Sequence, residues 1–197
     1  MSVRTSGVYR VLSSPRDREE LLLLDVSSTD PTYVPSGGYE KPFQERVDDL
    51  EAGNRIEATI EWDSEGSPRL GEFEVLTRTR IELIDGATGI FEAARETAQQ
   101  AAIEGEAMNS RVTKSTDNED NGVVYTFAKQ TGERDLYEEF QEGITPLEPL
   151  IARLGEGGAD PPYDVFVIRP ADESFVIVYL ALERDGLLAQ TVRDTYS

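Results

Sequence analysis

The stretch "LEAGNRIEATIEW", Leu50 to Trp62, alternates from Arg55 onward: Ile56, Ala58, Ile60 and Trp62 fall on one face, Arg55, Glu57, Thr59 and Glu61 on the other. A period of two marks a half-buried strand with its apolar side inward. Before it, Leu50–Asn54 joins a leucine to a glycine-containing turn; after it, "DSEGS", Asp63–Ser67, supplies turn chemistry. Phe73–Leu83 reads as the returning strand. Upstream, Gly7–Leu12 alternates, and Leu21–Val26 is a continuous apolar run suited to a buried strand.

A leucine, a glycine turn and a strongly alternating strand resemble the small antiparallel β-barrels of the OB kind. Residues 1–84 are therefore expected to form a small OB-like barrel domain. At Asp85 the period changes. Phe91, Ala94, Ala98 and Ala101 share one helical face, with Thr88 as N-cap and a stop near Gly105. Strands are expected at Ser110–Ser115, Val123–Lys129, Asp164–Arg169 and Ser174–Leu182, and helices at Asp135–Gln141, Pro146–Leu154 and Gly186–Tyr196. Thr145, Pro146 and Glu148 have the spacing of an N-cap, a first-position proline and a capping-box acid. The expected fold is thus α+β: a barrel, then a four-stranded antiparallel sheet in residues 85–197 with its helices on one face. The element order of this second part resembles roadblock and profilin domains.

Nineteen basic residues stand against thirty-nine acidic ones, a net charge of −20, and only Lys41, Lys114 and Lys129 among the cations are lysines. The acids are dispersed, as on a folded protein with an acidic surface. Scarce lysine, dispersed acids and no cysteine resemble proteins of salt-loving archaea, where a Debye length of roughly 3 Å at about 1 M salt mutes like-charge repulsion. Met1–Leu12 lacks an apolar core, so no signal peptide is expected, and no apolar run approaches the ~20 residues that span a bilayer. The expected compartment is the cytoplasm, with no membrane association. The chain has neither His nor Cys. Cys–His and Ser–His–Asp catalysis, structural zinc and redox thiols are therefore closed to it.

"DNEDNG", Asp117–Gly122, invites comparison with a calcium loop. Its twelfth position is Ala128, where a bidentate Glu is required, and its flanks read as strands; it is expected to be a hairpin turn. Ser27–Gln44 is an aperiodic loop with Tyr33, Tyr39 and Phe43, able to fold over the barrel end or to bind. Arg78 and Arg80 share the outer face of their strand, where they could meet Glu57 and Glu61 or, with Tyr33 and Tyr39, make the groove of a single-stranded nucleic-acid binder. Arg111, Arg134–Asp135 and Arg193–Asp194 could form an anion site but are expected in ion pairs and caps.

The stretches "LEAGNRIEATIEW", "FEAARET", "MNSRVT", "RDLYEEF", "RPADESF" and "RDTY" together resemble an uncharacterised family of haloarchaeal proteins. That resemblance implies a habitat and no site residues. The expected function is non-enzymatic binding, with Tyr33, Tyr39, Arg78 and Arg80 as the binding residues and RNA, a ribonucleoprotein or a protein as partner; no cofactor and no metal site is expected. Two alternatives are a Mg²⁺-dependent hydrolase or transferase acting on an anionic substrate, and an assembly subunit pairing through its C-terminal sheet.

A salt-adapted surface predicts loss of structure on dialysis from about 3 M to about 0.1 M KCl, where the Debye length grows to roughly 10 Å. Circular dichroism should fall and the emission of Trp62, the single tryptophan, should shift to the red. Signals unchanged at low salt would show that the acidic surface serves another purpose.

Overall fold

The computed structural model describes residues 2–132 and 134–196. Two five-stranded sheets make up its frame. The first contains β1 (Val3–Ser13), β2 (Glu20–Asp25), β3 (Pro31–Pro35), β4 (Arg55–Trp62) and β5 (Pro68–Thr77), in the order β3-β2-β1-β4-β5. All its ladders are antiparallel. The alternation of β4 holds: Ile56, Ala58 and Ile60 are buried with Tyr9, Val11, Leu23, Val34, Leu70 and Phe73 on the inner face. Trp62 lies half-buried at the rim of that core, its indole N–H donating to Thr5. The run in β2 is buried on both sides because the two faces serve different cores: Leu23 the inner one, Leu22 and Leu24 the outer one.

The expected barrel is not there: the first sheet is open. β3 and β5 are its two edges, and no ladder joins them. The reason lies in Ser27–Gln44, read as loop throughout, which contains β3. Pro31 and Pro35 bound that strand, and proline has no N–H with which to extend a ladder. Tyr39 spans the gap instead. Its hydroxyl donates to Pro35 O on β3 (2.8 Å) and accepts from Leu70 N on β5 (3.1 Å). Phe43, at the start of α1 (Phe43–Asp48), packs edge-on between Tyr39 and Phe73 and seals the inner core.

The second sheet contains β6 (Arg80–Ala87), β7 (Met108–Lys114), β8 (Asp120–Ala128), β9 (Asp164–Pro170) and β10 (Phe175–Ala181), in the order β6-β9-β10-β8-β7. The four strands expected here are present and antiparallel, but a fifth, β6, adds to the edge parallel to β9. Phe73–Leu83 is therefore two strands in two sheets, parted at Arg78–Thr79. Nor do the helices keep to one face. Phe166, Ile168 and Ile177 share a core with Ala94 of α2 (Glu92–Glu104) and with Ala189 and Val192 of α5 (Leu187–Tyr196). Val165, Val167, Val176 and Val178 share the opposite core with Phe140 of α3 (Leu136–Glu142) and Ile151 and Leu154 of α4 (Glu148–Glu156). β9 and β10 are buried almost throughout, as strands covered on both faces must be. The first half of "DNEDNG" lies in the turn between β7 and β8, closed by Ser115 N–H to Glu119 O and Asn118 N–H to Ser115 O, and Asp120–Gly122 begin β8.

Leu12, Leu22 and Leu24 on the outer face of the first sheet enter the α3–α4 core, so the sheets meet there. The seam is drawn tight by Ala52–Asn54. Gly53 N–H donates to Val11 O and Ile81 N–H to Ala52 O, each at 2.7 Å. Buried Asn54 reaches Thr79 O through its amide (3.3 Å), and buried Thr79 accepts from Tyr163 N (3.1 Å). A Cβ at Gly53 (φ +102°) would fall 2.5 Å from Ile81 N and 2.7 Å from Arg80 C.

Gly53→Ala is expected to destabilise the protein by about 3 kcal/mol or more, combining backbone strain with a backbone clash. Gly66→Ala, at φ +82° with open space around it, meets only the conformational penalty of about 1–2 kcal/mol. Chemical denaturation of both variants in molar salt measures the difference. Equal losses would show that the close approach is not the constraint.

Candidate functional site

Arg10 on β1 and Arg55 on β4 are directly paired in the ladder, so both side chains project from the outer face of the first sheet toward α4. Like charges directly opposite one another across a ladder are unfavourable. Arg10 is neutralised: its Nε and Nη2 donate to the two carboxylate oxygens of Glu148 (2.8 and 2.7 Å), and its Nη1 donates to Gly53 O (2.9 Å). Glu148 is free for this because it is not a capping-box acid. α4 begins at Glu148 itself, and the expected N-cap Thr145 instead donates its hydroxyl to Glu139 (2.8 Å).

Arg55 has no such partner. Among the described residues no carboxylate pairs with it, and its Nε is buried without a hydrogen-bond acceptor. It lines a cleft of about 520 Å³ between the first sheet and α4, together with Arg10, Thr77, Glu148, Ile151 and Tyr163. A buried N–H left unsatisfied costs about 1–3 kcal/mol. The cleft thus presents one free, forked cation to whatever enters it.

The other arginines near the seam are spent within the chain. Arg80 donates to buried Asp164 (3.0 Å) and to Asp185. Burial works against the charge of Arg80, but those two carboxylates outweigh it and hold its pKa above the ordinary arginine value. Arg193 donates to Glu82 (2.8 Å), and its Nη2 lies 2.9 Å from Asp164, off hydrogen-bond alignment. Arg184 clamps Glu51 through one Nη (3.0 Å) and Arg78 O through the other (2.6 Å), tying the end of β10 to the first sheet. At the other end of β9, Arg169 holds Asp85 in a double hydrogen bond (2.7 and 2.6 Å), which keeps the Asp85 carboxyl below the usual carboxylate range.

The four residues expected to bind are dispersed among these structural duties. Tyr33 lies under Arg16, whose guanidinium is 3.7 Å from the ring centroid. Tyr39 closes the sheet edges, and burial pushes its hydroxyl pKa up. Arg78 is in the link between sheets and donates to Asp49 O (3.2 Å), while Arg80 belongs to the other sheet. Neither arginine meets Glu57 or Glu61; Glu61 pairs with Arg4 (2.8 Å). Arg111 pairs with Glu96, and Asp135 caps α3 by accepting from Tyr137 N (2.9 Å), as ion pairs and caps were expected there; the neighbouring Glu133 lies outside the described residues. Arg10 and Arg55 were not singled out as site residues in the sequence, and Glu148 only as a capping-box acid. Arg55 was visible only as one polar residue of an alternating strand.

Among the described residues no group of three or more Asp, Glu, His or Cys side chains is arranged to hold a metal ion, and no helix is long and apolar enough to cross a membrane. The whole chain, residues 1–197, matches the family of unknown function DUF6663, and the chain belongs to that family. No curated protein and no solved structure matches it.

The contrast between the paired arginines is measurable. Glu148→Gln, which strands the buried Arg10, should cost about 3–5 kcal/mol. Arg55→Gln should leave the ligand-free protein unchanged or stabilise it by roughly 0.2–1 kcal/mol, since it removes a like-charge neighbour. A loss of stability in Arg55→Gln comparable to that in Glu148→Gln would make Arg55 a structural residue and remove the candidate site.

Proposed function

We propose that this protein is a non-enzymatic binding protein that holds a small anionic ligand in the seam cleft. The observation that carries the reading is Arg55: a guanidinium with no carboxylate partner among the described residues, lining a concave space, in a chain where acids outnumber bases by thirty-nine to nineteen. With carboxylates in such excess, leaving one arginine without a partner in a cleft favours a ligand from outside the chain. We place the protein in the cytoplasm of a salt-loving archaeon. The dispersed acids and the scarcity of lysine support that placement.

The RNA reading took its support from the barrel, which the open first sheet removes, and from Tyr39 and Arg80, both engaged inside the chain. The Mg²⁺-dependent alternative draws no support from the arrangement of the acids.

The test is thermal unfolding at fixed ionic strength with benzoate, benzenesulfonate, phenyl phosphate or benzyl alcohol, which share one ring. At least one of the three anions should raise the melting temperature saturably. A ligand at one hundred times its Kd adds about 2.7 kcal/mol, or roughly 5–10 °C for a chain of this size. Benzyl alcohol should do nothing, and the effect should vanish in Arg55→Gln. No saturable shift with any anion, or an equal shift in the variant, would overturn the proposal.

A further inference from the structure

The cleft constrains the charge of what it takes. The charge of Arg10 is matched by Glu148, which holds its Nε and Nη2, and its Nη1 is held by Gly53 O. One guanidinium remains, that of Arg55. Glu148 also lines the cleft and stands at the start of α4, so the helix N-terminus there already carries a carboxylate. With Arg10 and Glu148 cancelling each other, a phosphate dianion would leave one negative charge uncompensated by Arg55. A monoanion meets a balanced site.

The free donor also constrains shape. The two Nη groups of Arg55, neither hydrogen-bonded among the described residues, form a planar fork that two coplanar oxygens can satisfy together, and a carboxylate has that geometry. Beyond the fork the walls are apolar: Val26, Ile151, Ala152 and Pro161 line the cleft with Tyr163. Tyr163 is buried and its hydroxyl already donates to Ala159 O (2.6 Å), so it offers its ring and not its O–H. A volume of about 520 Å³ lies within the range of small-molecule sites, which run to roughly 300–1,000 Å³.

We infer that the ligand of this cleft is a small monocarboxylate with an apolar body, its carboxylate forked on Arg55 and its body lying against Ile151, Pro161 and Tyr163. The inference rests on reading the cleft as an anion site, and it narrows that reading to one class of anion. Thr77, which faces Arg55 across the β4–β5 ladder and lines the cleft, supplies a hydroxyl beside the carboxylate.

Calorimetric titration at fixed ionic strength separates the two levels. Benzoate should bind at least about tenfold more tightly than phenyl phosphate, and hexanoate more tightly than acetate. Arg55→Gln should weaken benzoate by about 10- to 100-fold, the worth of a charge-assisted hydrogen bond. Phenyl phosphate binding as tightly as benzoate or more so, with the same dependence on Arg55, would leave the anion site standing and refute the carboxylate class. Equal binding of hexanoate and acetate would refute the apolar body. No binding by any of these anions would refute both readings, and the cleft would be a gap in packing.

Discussion

The backbones of the two sheets approach so closely at Gly53 that no side chain fits between them. That contact decides much else. With Ala52 O holding Ile81 N and Val11 O holding Gly53 N, β1, the turn before β4 and the start of β6 are fastened within one hydrogen-bonded patch. The chain can then leave the first sheet at Thr77 and enter the second at Arg80 with only two residues between. Such a short link leaves Thr79 no exit to solvent. Its carbonyl and hydroxyl are taken by Asn54 and Tyr163, as buried polar groups require. Opening the seam would strand these groups together.

The arginines follow the same geometry. Arg184, Arg80 and Arg193 gather Glu51, Glu82, Asp164 and Asp185 at one end of the seam, and Arg10 holds Glu148 on its other side. These pairs differ from exposed ones such as Lys41–Glu45, which contribute little even at low salt. Screening at molar salt removes repulsion between exposed carboxylates but acts far less on a buried pair. A chain with a net charge of −20 can therefore hold its layers together through a few arginines at the seam.

What could be read from the sequence was whatever a single element reports about itself. The alternation of β4, the two-sided run of β2, the turn at "DNEDNG" and the alanine face of α2 with its Gly105 stop all appear where local pattern put them. What was missed depends on partners distant in the chain. β3 is short and bounded by prolines, so it forms only because β2 offers an edge. β5 and β6 read as one strand because a change of sheet leaves no mark on a period of two. Thr145–Pro146–Glu148 has the spacing of a cap, yet Arg10, well over a hundred residues away, claims the glutamate. The near-continuous apolar character of β9 and β10 did carry the signal for helices on both faces, and it outranks element order.

The same distinction explains why the candidate site escaped the sequence. Tyr33, Tyr39, Arg78 and Arg80 are the types of residue that bind, but residue type does not say whether a donor is already taken. Tyr39 has both hydrogen-bonding capacities filled and Arg80 has two carboxylates. Arg55 is an ordinary residue of an ordinary strand, distinguished only by what does not reach it. It stands beside an arginine that is satisfied, on a face that α4 covers incompletely. A candidate position of this kind is a remainder: the donor left over when every nearby acceptor has been assigned. It becomes visible once the acceptors have been counted in three dimensions. Its place at the seam also gives it rigidity, because the residues around it are held by the contacts that join the sheets. A site carried on packed strands and a helix keeps its geometry when empty, which lowers the entropic cost of filling it.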